Sequence, residues 1–270
     1  MSLAGVLDAG RVAPPLDARK RFLRMTERNV VGYARAWPVL LTGLIEPFLY
    51  LLSIGIGVGA LVGDVAYAGR QIPYETFVAS GMLATAAMNG AVFDTTFNFF
   101  IRLKYAKLYD AVLATPLEPR DVALGEVTWA LMRGTFYSAA FLVTMAAFGL
   151  TESWWAVLAL PATVLIGAAF ASVGLAASTY MRSFIDFDFV NLAITPMFLF
   201  SATFFPLSQY PDALAAVVRW TPLYQGVALC RALTTGEVHL GLLGHVAYLL
   251  VLAVVGVAVA SRRIDGLLRS

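Results

Sequence analysis

The sequence predicts an all-α integral membrane protein with six transmembrane helices. Three observations carry this reading. Of 270 residues, 60% are hydrophobic and only 13% are charged, with a mean hydropathy of +0.77, where a soluble domain carries about a quarter charged residues. Six apolar stretches approach the ~20 residues that cross a ~30 Å hydrocarbon core at ~1.5 Å per residue. Lys and Arg are also divided unequally between alternate loops, as the positive-inside rule requires of a multi-pass chain.

The first element is a cytoplasmic tail, residues 1–37. It lacks the apolar core of a cleavable signal. Leu16, Phe22, Leu23, Met25 and Val30 stand among Arg19, Lys20, Arg21, Arg24 and Arg28. This pattern reads as an interfacial helix over 16–37 on the cytoplasmic leaflet, with a disordered basic tail as the alternative. The transmembrane domain, 38–261, follows. Its apolar stretches cover 38–62, 76–101, 122–150, 154–181, 189–205 and 240–260, and Pro196 interrupts the fifth. Residues 262–270 form a second cytoplasmic tail.

Orientation follows from the basic residues. Fifteen fall on one side: seven in 1–37, then Arg102, Lys104, Lys107, Arg120, Arg182, Arg262, Arg263 and Arg269. Three, Arg70, Arg219 and Arg231, fall on the other. The split places both termini in the cytoplasm and requires an even number of spans. On the outer side, Pro206, Pro211 and Pro222 cut residues 206–237 into two pieces too short to span. Short helices that dip into the outer leaflet and return fit this pattern, with a simple extracellular loop as the alternative.

Enzyme signatures are missing. The chain has no G-x-x-x-x-G-K-[ST] phosphate loop, no G-x-S-x-G and no H-E-x-x-H. Cys230 is the single cysteine, and His239 and His245 are the only histidines, at a spacing that does not suit a metal. Gly55, Gly57 and Gly59 lie inside an apolar span and read as close helix packing. Charges within the spans are expensive and therefore informative. Glu46, Asp94 and Arg133 fall at similar depth, about 12–14 Å from the cytoplasmic ends. An Arg between two carboxylates is cheaper there than three isolated charges, so an intramembrane cluster is expected. It either fixes helix packing or lies on a transport path. Glu126 is nearer the cytoplasmic surface, within reach of the basic loop or a partner. That loop, RLKYAKLYDAVLATPLEPRD at 102–121, alternates apolar and basic residues in a helical manner. Pro116 and Pro119 close it, which leaves a short amphipathic helix beneath the membrane that can dock into another protein, with a plain loop between two spans as the alternative.

At this loop the sequence resembles the type-2 ABC transporter permeases, in the branch of nodulation-factor, polysaccharide and drug exporters. The matching pieces are EPFLYLLSIGIGVGALV at 46–62, YDAVLATPLEPRDVALGEVTWA at 109–130, TPMFLFSATFFPLSQYP at 195–211 and TPLYQGVALCRALTTG at 221–236. The resemblance implies six spans, an N-terminal connecting helix, a cytoplasmic coupling helix over 102–116 and extracellular re-entrant helices over 206–237. It implies two copies of a separate ATPase, which would bind ATP and Mg, and a second permease protomer, as a homodimer, in the bacterial cytoplasmic membrane. The chain itself is expected to bind no cofactor and to contact membrane lipid, not nucleic acid. No ATPase domain is expected after the sixth span.

Carried onto this chain, the coupling region holds Arg102, Lys104, Tyr105, Tyr109, Asp110, Leu113, Thr115, Pro116 and Glu126. The re-entrant region holds Pro206, Pro211, Pro222, Leu223 and Arg231. Phe93, Phe97, Met197 and Phe198 are candidate lining residues of an outward path, and each has core packing as its alternative role. The expected activity is ATP-driven export of an amphipathic or lipid-linked substrate: a lipid, a glycolipid or oligosaccharide, or a hydrophobic drug. An ion-coupled carrier and a membrane-embedded lipid-modifying enzyme are the alternatives.

Overall fold

The computed structural model describes residues 21–34, 45, 48–49, 51–115 and 117–268. Helix α1, Arg21–Ala34, turns Met25, Thr26 and Asn29 inward and leaves Leu23, Val30 and Val31 exposed. A π-helical stretch, Leu51–Val58, runs into the short α2, Gly59–Val62. Most of the first apolar stretch before residue 51 lies outside the described residues. Of its three glycines, Gly57 faces open space, while Gly55 and Gly59 lie against the Glu75 side chain. The expected close helix packing is thus present at Gly55 and Gly59, which meet the first turn of the following long helix, Tyr74–Phe93.

An antiparallel hairpin follows, β1 Asp64–Tyr67 and β2 Arg70–Pro73, paired Tyr67 with Arg70 and Val65 with Ile72. This corrects the all-helical expectation at one place. The two-residue turn, Ala68 and Gly69, has φ of 50° and 79°, the left-handed pair whose twist matches that of the strands. Arg70 fastens the hairpin to the bundle. It bridges Glu152 at 3.2 Å and Glu237 at 3.1 Å and donates to the Thr235 carbonyl.

Helix α3, Tyr74–Phe93, continues through π-helical turns at Asp94–Asn98 and Ile101–Tyr105. Helix α4 is Leu108–Leu113. Helix α5, Pro119–Ala147, starts with Pro119 in its first turn, where no N–H is needed. Helix α6, Ala159–Ser178, is entered through a 3-10 turn at Trp154–Leu158. Helix α7, Phe187–Leu199, α8, Asp212–Arg219, α9, Pro222–Thr235, and α10, Leu242–Leu268, complete the chain.

Among the described residues, four helices are long and apolar enough to cross a membrane: Tyr74–Tyr105, Pro119–Ala147, Trp154–Ser178 and Leu242–Gly266. They fall on the second, third, fourth and sixth apolar stretches. The fifth stretch forms only the 13 residues of α7, about 20 Å of helix. Pro196 sits in its last turn and offers no N–H to the preceding turn. The Phe200 N–H closes on the Pro196 carbonyl at 2.9 Å, and Ala202, at φ 58°, then turns the chain away.

The four long helices pack on one core, with α6 against α10, α3 and α5. Phe77, Leu83, Met88, Phe141, Met145, Ile166 and Leu175 are fully buried in it. Lipid is as apolar as these side chains, so close backbone approach must hold such helices together. Glycine permits that approach. A Cβ on Gly174 would lie 2.5 Å from Thr95 Oγ1 on the α3 continuation, and one on Gly256 of α10 would lie 2.5 Å from Ser172 Oγ on α6. The short helices α8 and α9 reverse at Trp220–Thr221. There Tyr248, two turns along α10, donates to the Trp220 carbonyl at 2.7 Å.

Candidate functional site

The site is built where α3 ends. Lys107, at φ 44°, breaks the helical path after the π-helical turn at Ile101–Tyr105. The single helix expected over 102–116 is thus two pieces: its first part extends α3, and only Leu108–Leu113 stands apart as α4. The break turns Tyr109 inward. Its ring stacks on Phe99 at 5.1 Å, and both side chains are fully buried.

The Tyr109 hydroxyl donates to Glu126 Oε1 at 2.9 Å. Arg102 Nη1 donates to Glu126 Oε2 at 2.5 Å and to Asn29 Oδ1 at 3.3 Å. Thr26 Oγ1 adds a bond to the Gly125 carbonyl at 3.4 Å. The Glu126 carboxylate therefore joins the end of α3 and α4 to α5, while Arg102 and the neighbouring Gly125 carbonyl tie in α1. Glu126 is 2% exposed and Arg102 14%, and an ion held there needs its partners, because desolvation is otherwise uncompensated. Burial, and then the charge of Glu126, hold the Tyr109 phenol well above its usual pKa. It stays protonated and remains a donor. Lys104, Tyr105 and Thr115 are exposed around this junction. Asp110 and Leu113 lie on α4, and Pro116 is outside the described residues.

A second polar pair lies deeper in the bundle. Arg133 Nε reaches Asp94 Oδ2 at 3.0 Å, with side chains 8% and 2% exposed. Asn98 Nδ2 donates to Asp94 Oδ1 at 2.7 Å, and the Arg133 guanidinium lies 5.7 Å from the Tyr137 ring. Glu46, the third expected member, lies outside the described residues.

The four candidate lining residues fall into two groups. Phe93 stacks on Phe97 at 5.3 Å, and Phe97 meets Phe184 and Phe187 at the entry to α7. Phe198, at the other end of α7, packs edge-on against Phe204 at 5.1 Å, beside the half-buried Met197. Helix α7 joins the groups and buries none of its own residues.

Sequence reasoning missed the role of Arg231, which it counted among outer-loop charges. Pro206 precedes a 3-10 turn, Pro211 precedes α8 and Pro222 opens α9. On α9, Arg231 is 3% exposed. Its guanidinium donates to the Phe77 carbonyl at 3.1 Å, Ser80 Oγ at 3.0 Å and the Thr203 carbonyl at 3.3 Å, and lies 3.6 Å from the Phe77 ring centroid. Gly81 makes room for this: a Cβ there would stand 2.9 Å from Thr203 Cα. Arg231 thereby pins the chain leaving α7 to α3 and α9. The available signal was a lone cation in the otherwise apolar run 226–233.

Among the described residues, no group of three or more His, Cys, Asp and Glu side chains is placed to hold a metal ion. The polar contacts around Glu126, Asp94 and Arg231 join helices to one another. The chain is 34% identical to Nodulation protein J of Rhizobium leguminosarum bv. trifolii over 237 residues, 87% of this chain and 88% of that protein. It is 32% identical to its counterpart in Rhizobium leguminosarum bv. viciae, over 90% of this chain and 95% of that protein. Nodulation protein J of Rhizobium meliloti (strain 1021) matches at 34%, over 87% and 88%. Residues 20–234, which include the Glu126 junction, the Asp94–Arg133 pair and Arg231, match the ABC-2 type transporter family, and to that family this chain, a multi-pass membrane protein, belongs.

Proposed function

We propose that this chain is the permease subunit of an ATP-binding-cassette exporter in the bacterial cytoplasmic membrane. It moves an amphipathic or lipid-linked substrate outward, driven by a separate ATPase. Six helices cross the membrane, with α7 and the chain after it as the fifth crossing and the first apolar stretch as the first. Both termini are cytoplasmic, and α8 and α9 dip into the outer leaflet and return. Two permease copies pair with two ATPase copies, and the ATPases bind ATP and Mg.

The observation that supports this reading is the junction at Glu126. A lever that transmits force must be fixed to what it moves. Helix α4 is held through Tyr109 to the same carboxylate that receives Arg102 from α3 and borders α1 on α5. A push on the exposed face of α4 therefore reaches α3 and α5 through one buried group, and α1 through Arg102 and the Gly125 carbonyl beside it. Asp94 and Arg133 lie further along the same two helices and keep α3 and α5 moving as a unit.

The test is coexpression with the cognate ATPase and reconstitution into vesicles. ATP hydrolysis and substrate export are then measured for wild type and Glu126→Gln over lipids, glycolipids and hydrophobic drugs. The variant is expected to copurify with its ATPase and hydrolyse ATP while export falls at least tenfold. An intact complex whose export is unchanged overturns the assignment of this junction. Failure of the chain to assemble with any ATPase overturns the functional reading itself.

A further inference from the structure

At the hairpin end of the molecule, a cavity of about 190 Å³ is lined by Phe48, Leu51, Leu52, Glu75, Phe148 and Leu150. Five of these residues are apolar and one is a carboxylate. Glu75 stands in the first turn of α3, where the helix N-terminus steadies a negative charge. Its Oε2 lies over Gly59, where a Cβ would be only 3.1 Å away. Among the described residues Glu75 makes no hydrogen bond and no ion pair. Of the other described acids on neighbouring segments, Glu152 and Glu237 are engaged by Arg70, and Asp64 stands exposed at the start of β1, apart from the cavity lining. The wall opposite Glu75 belongs to the π-helical stretch Leu51–Val58, a wider backbone that recurs at functional positions.

We propose that this cavity binds the ammonium headgroup of an amphiphile. A carboxylate supplies the counter-charge, two aromatic rings, Phe48 and Phe148, supply faces that attract a cation, and Leu51, Leu52 and Leu150 receive the adjoining methylenes. An anionic headgroup would meet an unscreened negative charge and be rejected. A neutral apolar chain would leave the carboxylate facing hydrocarbon, which is unfavourable. The same chemistry is offered by an amine-bearing membrane lipid and by a free cationic amphiphile. The inference does not depend on the exporter reading, because it concerns binding alone.

The full chain, purified in a neutral maltoside detergent, is examined by native mass spectrometry. One arm adds equal amounts of phosphatidylethanolamine and phosphatidylglycerol. The other adds octyltrimethylammonium. Wild type is expected to prefer phosphatidylethanolamine over phosphatidylglycerol about tenfold or more in the first arm, or to retain octyltrimethylammonium in the second. Glu75→Gln is expected to abolish that preference, and Glu75→Asp to keep part of it. Leu52→Trp, which fills the cavity with the carboxylate in place, is expected to displace the probe as well. Glu75-dependent retention of phosphatidylethanolamine identifies a lipid site, and Glu75-dependent retention of octyltrimethylammonium alone identifies a site for free amphiphiles. Either supports the proposal. Equal occupancy of wild type and Glu75→Gln in both arms overturns it.

Discussion

Replacing Tyr109 by Phe removes one oxygen and leaves the ring on Phe99. The lost bond ends on a buried, ionised carboxylate, Glu126, at 2.9 Å. Hydrogen bonds to charged groups contribute about 1.5–3 kcal/mol. Helix α4 is only six residues long, below the length at which a helix sustains itself, so its stability is that of its seat. Every 1.4 kcal/mol is a factor of ten in an equilibrium. Local opening of α4 should therefore rise roughly 10- to 100-fold, and amide exchange follows local opening. The assay is hydrogen–deuterium exchange with mass spectrometry on peptides covering 106–115, with 77–90 of α3 as the internal reference. Faster exchange confined to 106–115 is expected. A rate unchanged within twofold would refute the argument that the Tyr109–Glu126 bond seats α4. A uniform rise that includes α3 would assign the damage to the fold as a whole.

Three further outcomes follow from the other polar contacts. Arg133→Leu should destabilise the chain by about 3–5 kcal/mol by leaving Asp94 buried without its partner, while the double change with Asp94→Leu recovers most of that loss; thermal unfolding in micelles measures both. Arg231→Lys should behave like Arg231→Met in limited proteolysis near 200–205, because one ammonium cannot reproduce a planar fork that serves Phe77, Ser80 and Thr203 together; protection of that segment by Lys would show that charge alone suffices. Asp186 accepts backbone N–H bonds from Arg182 and Ser183, which lower its pKa. A depressed folded pKa means that its contribution is present above the ordinary Asp value of about 3.9 and disappears as pH falls through the folded value. A carbon-13 titration of the Asp186 carboxyl should have its midpoint below 3.9, and a midpoint at or above it would remove the cap.

The long helices were legible because their signal is local. Residues 76–101, 122–150, 154–181 and 240–260 are apolar over the length that hydrocarbon demands, and α3, α5, α6 and α10 occupy them. The approach of Asp94 to Arg133 was legible as well, since isolated charges at one depth have few other solutions. What stayed hidden depends on backbone turns without a residue signature. Lys107 adopts a left-handed conformation that glycine usually marks, so the end of α3 and the separate α4 looked like one helix. The hairpin turn uses Ala68 before Gly69 where Asn or Asp is the usual signal. The fifth apolar stretch continues to 205, but the backbone after Leu199 leaves the helix to meet Arg231. Composition counts the apolar residues there and does not register the carbonyl that the guanidinium needs.

Helix α7 gives this fold an asymmetry of attachment. It buries no residue completely. One side rests half-buried on the core through Val190, Ile194, Met197 and Phe198, while Phe189 and Leu192 are exposed. Phe187 adds ring contacts with Phe97 and Phe100 at its entry, and Arg231 clasps Thr203 just past its exit. The exposed side therefore offers its apolar area to lipid or to another protein, and whatever covers it acts on α7 from the side the bundle leaves open.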